Sequence, residues 1–213
     1  IATQNAAVKD AAKQHQVAIV KFAGNKTDKV GNDTYRDGGY RYNYSQVMKT
    51  LAPCTNDTKG AFSSQVDAIQ PAGATNAAAG LELAEGQTSG RSDVKKIVIF
   101  FTDGKPTTQS AFDPGVASSA VGSAKRMKDA GAAVYSIGIF QGADPAKYPD
   151  PQRVYDENNF MHAVSSNYPS ATYSEKTSWW SSEYEWSFGD RAKGSDGKDA
   201  AFYKSATNAD ELK

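Results

Sequence analysis

Apolar runs and helix-like segments alternate along the chain, and this alternation predicts the fold class. Short apolar runs predict strands over residues 17–22, 95–102 and 134–140. Helical patterns cover residues 5–15, 61–69, 76–84 and 116–130, and a last helix is expected to open at Thr207. Helices alternating with strands imply a mostly parallel sheet with right-handed crossovers. The sequence therefore predicts a doubly wound α/β domain.

The strand at residues 95–102 ends in a candidate binding residue. Its apolar run is rich in β-branched and aromatic residues, which is typical of a strand covered by helices on both faces. Thr102, Asp103 and Gly104 break the run, so Asp103 lies at the carboxyl end of a central strand, where open α/β sheets bind ligands. An Asp-Gly pair is also an ordinary turn signal, so the turn remains an alternative interpretation.

A second candidate, Thr75, lies in a Pro- and Gly-containing loop just before a small-residue helix. A threonine in this position can be a helix N-cap. However, Gly-Ala-Thr-Asn opening a helix, followed after a strand by Thr-Asp-Gly-Lys-Pro, closely resembles the von Willebrand factor A domain family. In that family the Thr and the Asp are two of the metal-site positions, so the resemblance implies that Thr75 and Asp103 are metal ligands.

The family's third signature, Asp-x-Ser-x-Ser on a first strand, does not occur in this sequence. The resemblance implies the strand order 3-2-1-4-5-6, in which that strand is central. Without it, the strands at residues 17–22 and 95–102 would each leave backbone groups unpaired in the core, at a few kcal/mol for each buried group. We therefore expect residues 1–213 to form a single A-like domain truncated at both ends. The first strand would be omitted, carried on a separate chain or replaced by a partner strand.

The resemblance also implies a cofactor, Mg²⁺ or alternatively Mn²⁺ or Ca²⁺. Family members hold the ion through hydroxyls of the serine pair and the threonine, with carboxylates often acting through water, and leave one position for an acidic group of the partner. Thr75 would be a direct or near-direct ligand and Asp103 a water-bridged one. Mg²⁺ prefers octahedral oxygen ligands and keeps several waters. Because two ligands would hold it poorly, metal binding is conditional on an Asp-x-Ser-x-Ser strand from outside this chain.

Two regions depart from a minimal A domain. Residues 24–58 are predicted to form a long polar loop region. Its first part, residues 24–44, is rich in Gly, Asn, Asp and Tyr and is predicted to be a surface loop or small hairpin. Residues 141–199 read as an aromatic-rich insertion that holds all three tryptophans. Within it Trp180, Tyr184, Trp186 and Phe188 share one parity, which predicts an aromatic stripe on one face of a strand. The stripe either packs the insertion against the body of the domain or binds a ligand.

Composition narrows the possible partners. Lys plus Arg and Asp plus Glu number 24 each, which argues against nucleic acid or an anionic membrane as the main partner. Mean hydropathy of −0.60 indicates a polar, soluble domain, and no apolar run reaches membrane-spanning length. Cys54 is the only cysteine, so it cannot form an internal disulfide, and it is interpreted as a small hydrophobic residue rather than a nucleophile.

Residues 161–174 and 202–213 resemble stretches of A domains in surface proteins of Gram-positive bacteria. The resemblance implies an adhesion domain of a pilus-tip or cell-wall-anchored protein, located outside the cell. Its partners would be a host or matrix protein or glycan, together with other domains of the same polypeptide. We expect no enzymatic activity, because the common nucleotide-binding and nucleophile motifs are missing. Two alternatives are an intracellular A module of an ATPase or chelatase complex and a hydrolase using Asp103.

Overall fold

The computed structural model describes residues 1–29, 31, 33–71, 73–89, 93–206 and 211. Helices in these residues are α1 Ala2–Asn5, α2 Lys59–Asp67, α3 Ala77–Thr88, α4 Pro114–Asp129 and α5 Glu157–Val164, with a short 3₁₀ helix at Ala11–Lys13. Strands are β1 Gln16–Lys21, β2 Thr34–Asp37, β3 Tyr40–Asn43, β4 Gln46–Pro53, β5 Ile97–Thr102, β6 Ala133–Gly138, β7 Thr172–Thr177, β8 Ser182–Ser187 and β9 Tyr203–Ser205. No described helix has the length and apolar character needed to cross a membrane.

The best-packed part of the domain is a parallel sheet. β5 runs parallel to β6, from Ile97 opposite Ala133 to Thr102 opposite Gly138, and β6 runs parallel to β9. Helices α4 and α5 pack on β6 and join it in one continuous core. The strands expected at 17–22, 95–102 and 134–140 are thus present as β1, β5 and β6, and the doubly wound α/β prediction is confirmed.

A separate antiparallel pair lies before this sheet in the chain. β4 pairs with β1, from Gln16 opposite Pro53 to Lys21 opposite Gln46. The prediction that residues 24–58 are a long polar loop therefore holds only in part, because two hairpin strands and β4 lie within them. β4 was missed because Gln, Lys and Thr occupy three of its eight positions and interrupt the apolar pattern. β2 and β3 form the expected small hairpin, which packs around Tyr35, Tyr42 and Tyr44.

A strand position between the two sheets is open. In the described part of the chain, β1 pairs only with β4, and β5 pairs only with β6. The free edges of β1 and β5 therefore both lack a ladder partner, as expected for this strand order without its central strand. Phe22 and Phe100 nevertheless stack across the gap, with ring centroids 5.3 Å apart.

One face of β5 is uncovered by the described residues, contrary to the prediction of helices on both faces. Val98, Phe100 and Thr102 are buried, whereas Ile97, Ile99 and Phe101 are 53%, 56% and 46% exposed. The alternation arises because successive strand residues point to opposite faces, and the described helices cover only one. The last helix, expected from Thr207, falls almost wholly outside the described residues.

The helix predicted over residues 5–15 is also wrong. Only Ala2–Asn5 is α-helical, because the Asn5 side chain fixes a turn instead: its Nδ2 donates to the carbonyls of His15 and Cys54, and its Oδ1 accepts from His15 N–H. Asn and Asp side chains compete in this way with helical backbone bonds. Asp10 then caps the short 3₁₀ helix. Asn5 thereby ties the entry of β1 to the end of β4.

Candidate functional site

A cleft of about 500 Å³ lies where the open strand position reaches the carboxyl end of the sheet. Its walls come from the end of β1, from residues 69–71 and 73–75 of the following loop, and from the end of β5. Thr75 and Asp103 both line it, so the structure places the two sequence-predicted site residues on one cavity. Carboxyl ends of strands at a change in strand order are the usual binding edge of such sheets.

Thr75 is held in place through its backbone. Its N–H donates to Thr107 O at 3.2 Å, and Thr107 N–H donates to Thr75 O at 3.0 Å. The next residue, Asn76, donates its N–H to Ala23 O at 2.8 Å. The residue pair therefore bridges the loop after β5 and the end of β1 across the top of the gap, so the backbone that carries the Thr75 side chain is held at the cleft.

The N-cap of α3 is Asn76, not Thr75. The Asn76 Oδ1 accepts from Ala79 N–H at 3.0 Å, which satisfies one of the free donors of the first turn. The interpretation of Thr75 as a cap is therefore wrong. Among the described residues, no hydrogen bond engages the Thr75 hydroxyl, which leaves this oxygen free at the cleft.

Asp103 lies directly after β5 and is exposed. The turn that carries it is fixed by Thr102, whose Oγ1 donates to Gly104 O at 2.9 Å and accepts from Gly104 N–H at 3.2 Å. A Cβ added to Gly104 would lie 3.6 Å from Thr75 Oγ1, so the hydroxyl sits beside the backbone that follows Asp103. In the described structure the Asp103 carboxylate has no hydrogen-bond or ion-pair partner.

The loop that delivers Thr75 depends on a glycine at the cleft wall. Gly73 has φ of +97°, and a Cβ there would approach Tyr42 Cδ1 to 2.6 Å. Only glycine fits this backbone conformation and this contact. Asn43 Nδ2 donates to Gln70 O in the same loop. The β2–β3 hairpin, in the region predicted to be a polar loop or small hairpin, thus supports the wall that positions Thr75.

The ligands at the cleft are of the chemical type that a hard cation prefers, but two ligands are too few to hold it. A hydroxyl and a carboxylate are oxygen ligands of the class that Mg²⁺ prefers. The described residues contain no group of three or more His, Cys, Asp or Glu side chains arranged to hold a metal ion. Further oxygen ligands would have to enter with whatever fills the open strand position between β1 and β5.

The three aromatic candidates of the insertion do not form one surface. Trp186 is buried, stacks on Tyr173 with centroids 3.9 Å apart and donates Nε1–H to Val154 O at 2.9 Å. Tyr184 is half-buried against Tyr173. Trp180 is 89% exposed in the turn between β7 and β8. The strand parity fails at Trp180 because the turn begins at Ser178, so only Trp180 remains on the surface.

Trp179 was not among the residues predicted from the sequence, yet it is as exposed as Trp180. The available signal was the Ser-Trp-Trp-Ser-Ser run between two strand-like segments, because serine clusters mark turns. The insertion is also less separate than predicted, since α5, inside residues 141–199, contributes Phe160 and Met161 to the main core.

Comparison with known proteins assigns the family. No curated protein and no solved structure matches the chain. The family model of the von Willebrand factor type A domain matches residues 6–168, which is more than half of the chain and includes both Thr75 and Asp103. The chain belongs to the von Willebrand factor type A domain family.

Proposed function

We propose that this domain binds a protein partner through a divalent metal ion held at the cleft by Thr75 and Asp103. Domains of this family generally mediate protein–protein interaction or adhesion. The observation that carries the proposal is the shared cleft, where a hydroxyl and a carboxylate without described partners lie next to an open strand position. We assign the domain no catalytic role.

The site is completed by an inserted strand. β1 and β5 each offer an unpaired row of N–H and C=O groups, and an extended segment between them would satisfy both rows. An Asp-x-Ser-x-Ser segment in this position would end near Thr75 and Asp103, and its side-chain oxygens would raise the ligand number. The strand can belong to the same polypeptide or to a separate chain.

The cation would be Mg²⁺, with Mn²⁺ or Ca²⁺ as substitutes. When bound, such an ion supplies a positive centre with an open position for an acidic side chain of the partner. The Thr75 hydroxyl would contact the ion, and the Asp103 carboxylate would hold one of its waters. We further propose that the partner is a host or matrix protein or glycan. The domain would then act outside a Gram-positive cell as part of a pilus-tip or wall-anchored protein that also carries other domains.

Titration of Mn²⁺ with and without a strand peptide tests the proposal. The peptide carries Asp-x-Ser-x-Ser after an apolar β-branched stretch, and bound Mn²⁺ is measured by loss of the free-ion paramagnetic resonance signal. We expect protein and peptide together to bind Mn²⁺ more tightly than either alone. Thr75→Ala and Asp103→Asn should weaken binding by about tenfold or more, as for loss of one charge-assisted contact of ~1.4 kcal/mol or more.

Matched controls lie away from the cleft. Thr88→Ala removes a hydroxyl at the end of α3, and Asp129→Asn removes a carboxylate at the end of α4. Both should leave Mn²⁺ binding unchanged. Equal affinity in the site variants and the controls would overturn the metal site. Absence of peptide binding would overturn strand insertion. The cell-surface assignment fails if the complete gene encodes an adjoining ATPase region rather than a signal peptide and a wall-sorting tail.

A further inference from the structure

The tip of the β7–β8 hairpin carries two adjacent, almost fully exposed tryptophans. Trp179 and Trp180 are each 89% exposed, more than any other large hydrophobic side chain in the described residues. A single exposed apolar residue is ordinary, but a contiguous exposed apolar patch commonly marks an interaction site. Tryptophan is also enriched among the residues that dominate binding energy at protein interfaces.

Hydrogen bonds between Ser178 and Ser181 close the turn at the tip. Ser178 N–H donates to Ser181 O at 2.7 Å, and the Ser178 hydroxyl both accepts from Ser181 N–H and donates to Ser181 O at 3.0 Å. The two indole rings meet edge to face, with centroids 6.3 Å apart and planes at 68°. A preorganised pair of aromatic faces loses little conformational entropy on binding.

The base of the hairpin is anchored in the core, and the exposed tip projects from this base. Tyr173 on β7 and Trp186 on β8 are opposite one another, stacked and buried. β7 also packs against α4. The hairpin contributes no residue to the cleft at Thr75 and Asp103. The two surfaces are therefore separate candidates for binding.

The stem next to the tip is acidic. Residues 172–187 contain three glutamates and one lysine, which gives a net charge of −2. Lys176 pairs with Glu185 and lies opposite Glu183 in the register, so one lysine serves both glutamates of β8. Glu175 lies on the other face of the hairpin and has no ion-pair partner among the described residues. Glu175 accepts only a neutral hydroxyl hydrogen bond, from Ser182. An anionic lipid surface would be repelled by this stem, whereas a cation would be attracted.

We propose that this tip is a docking surface for a cationic protein segment. Arginine or lysine side chains of the partner stack on the indole faces of Trp179 and Trp180. Glu183 and Glu175, which lie on opposite faces of the hairpin, each pair with a different one of these cations. Tryptophan is the best aromatic partner for a cation, and arginine can stack and form hydrogen bonds at the same time. The interaction requires no metal ion, so it goes beyond the cleft function and stands independently of it.

A short unstructured Arg-Gly-Ser peptide with a fluorescent label is the probe, and its affinity is measured by anisotropy in the presence of EDTA. We expect the Trp179→Ser, Trp180→Ser double variant to bind the peptide about tenfold more weakly, as the loss of two cation–π contacts implies. Glu183→Gln should weaken binding by a smaller factor, about two- to threefold, and added salt should weaken binding of the wild-type protein.

Tyr40→Ser is the matched control, because Tyr40 is an exposed aromatic residue at the turn of the other hairpin. It should leave peptide binding unchanged, and omission of EDTA from the assay should also leave it unchanged. A peptide with citrulline in place of arginine should bind the wild-type protein no more tightly than the original peptide binds the double variant. Thermal unfolding of the double variant should match the wild type, since both side chains are exposed.

Equal peptide affinity of the double variant and the wild type overturns the proposal, as does no binding by the wild type. Another outcome is that the double variant loses binding to phosphatidylcholine vesicles while its peptide affinity stays that of the wild type. That result would assign the tip to a membrane surface and would also overturn the proposal. Because the assay is run without metal, its failure leaves the Mn²⁺ test of the cleft unaffected, and failure of that test leaves this one unaffected.

Discussion

The two halves of the sheet, on either side of the open strand position, are stabilised very differently. In the parallel half, β5 and β6 contribute to a core in which Val134, Phe160 and Ala124 are at most 1% exposed. In the antiparallel half, β1 and β4 contribute no side chain to that core, and only Phe22, just after β1, packs against it. The parallel half therefore holds most of the buried apolar core, whereas the antiparallel half is joined to it through α3 and the Phe22 contact.

Truncation of a core side chain in each half measures the difference most directly. Phe160 is 1% exposed and contacts Phe100 edge to face at 6.0 Å. Phe160→Ala should lower the free energy of unfolding by about 3–5 kcal/mol. Met48→Ala on β4 should cost about 2 kcal/mol, at the low end for a buried methionine, because Met48 lies outside the main core. Urea unfolding gives both values, and equal losses would contradict the contrast between the halves.

Acid should destabilise the domain through His162, which lies in the parallel half. His162 is fully buried, with Nε2 within 2.8 Å of Lys147 O and Nδ1 within 3.2 Å of Asn167 Nδ2. Burial lowers the pKa of His162 to about 4. An unfolded histidine has a pKa of about 6.5, so the unfolded chain binds the proton first. Stability should therefore fall as pH drops from about 6.5 to about 4, by about 3 kcal/mol in total.

The two histidines provide a matched pair for this test. His162→Gln should reduce the dependence of unfolding free energy on pH in that window. His15→Gln, at an exposed position, should leave the dependence as it is in the wild type. Chemical denaturation at a series of pH values measures each slope. Identical slopes in the three proteins would show that the buried ring of His162 is not the origin of the acid sensitivity.

The contrast also explains what the sequence could predict. β5, β6 and α4 were predicted because they carry the periodic apolar pattern of a packed core. β4 was missed because half-buried strands at a sheet edge tolerate polar residues, and the failed helix at residues 5–15 was overridden by the side-chain hydrogen bonds of Asn5. Propensity is a weak prior where tertiary contacts compete with it.

The candidate site could likewise be predicted only in part. That Thr75 and Asp103 would share a cavity could be expected from motif order and sheet geometry. The role of Asn76 as the cap of α3 could not be predicted, because Thr and Asn are both good caps and adjacent residues compete for one position. The separation of buried Trp186 from exposed Trp180 depended on where the turn begins, and element boundaries are weakly encoded by local pattern.

A methyl group at Gly80 tests how the halves are joined. A Cβ on Gly80 of α3 would lie 2.8 Å from the ring of Phe22, which stacks on Phe100 across the gap. Gly80→Ala should therefore displace Phe22 and cost about 1–2 kcal/mol, after the gain in helix propensity. Gly86→Ala, on the same helix with nothing within 4 Å, should instead stabilise the domain by up to about 1 kcal/mol. Stabilisation by both changes, measured in urea, would mean that the Phe22 contact does not join the halves.

The smallest expected effect concerns the ion pair that fastens α3 to α4. Arg126 donates two hydrogen bonds to the Glu85 carboxylate, at 2.7 and 2.8 Å, and they lower the pKa of Glu85. Because Arg126 is largely exposed, solvent screens the pair, and a double-mutant cycle with Glu85→Gln and Arg126→Gln should give a coupling of only about 0.5 kcal/mol.

Helix α3 packs on β1 and β4 as well as on α4, so it is the element common to both halves. If packing at Phe22 and Gly80 joins the two halves, removal of the Glu85–Arg126 pair should leave hydrogen exchange of β1 amides unchanged. High salt, which screens the pair, should have the same effect as the substitutions. A coupling well above 1 kcal/mol, with faster exchange confined to β1 and β4, would instead place the joint at the α3–α4 ion pair. The antiparallel half would then be held by charge at the surface of α3 rather than by the aromatic contact across the open strand position.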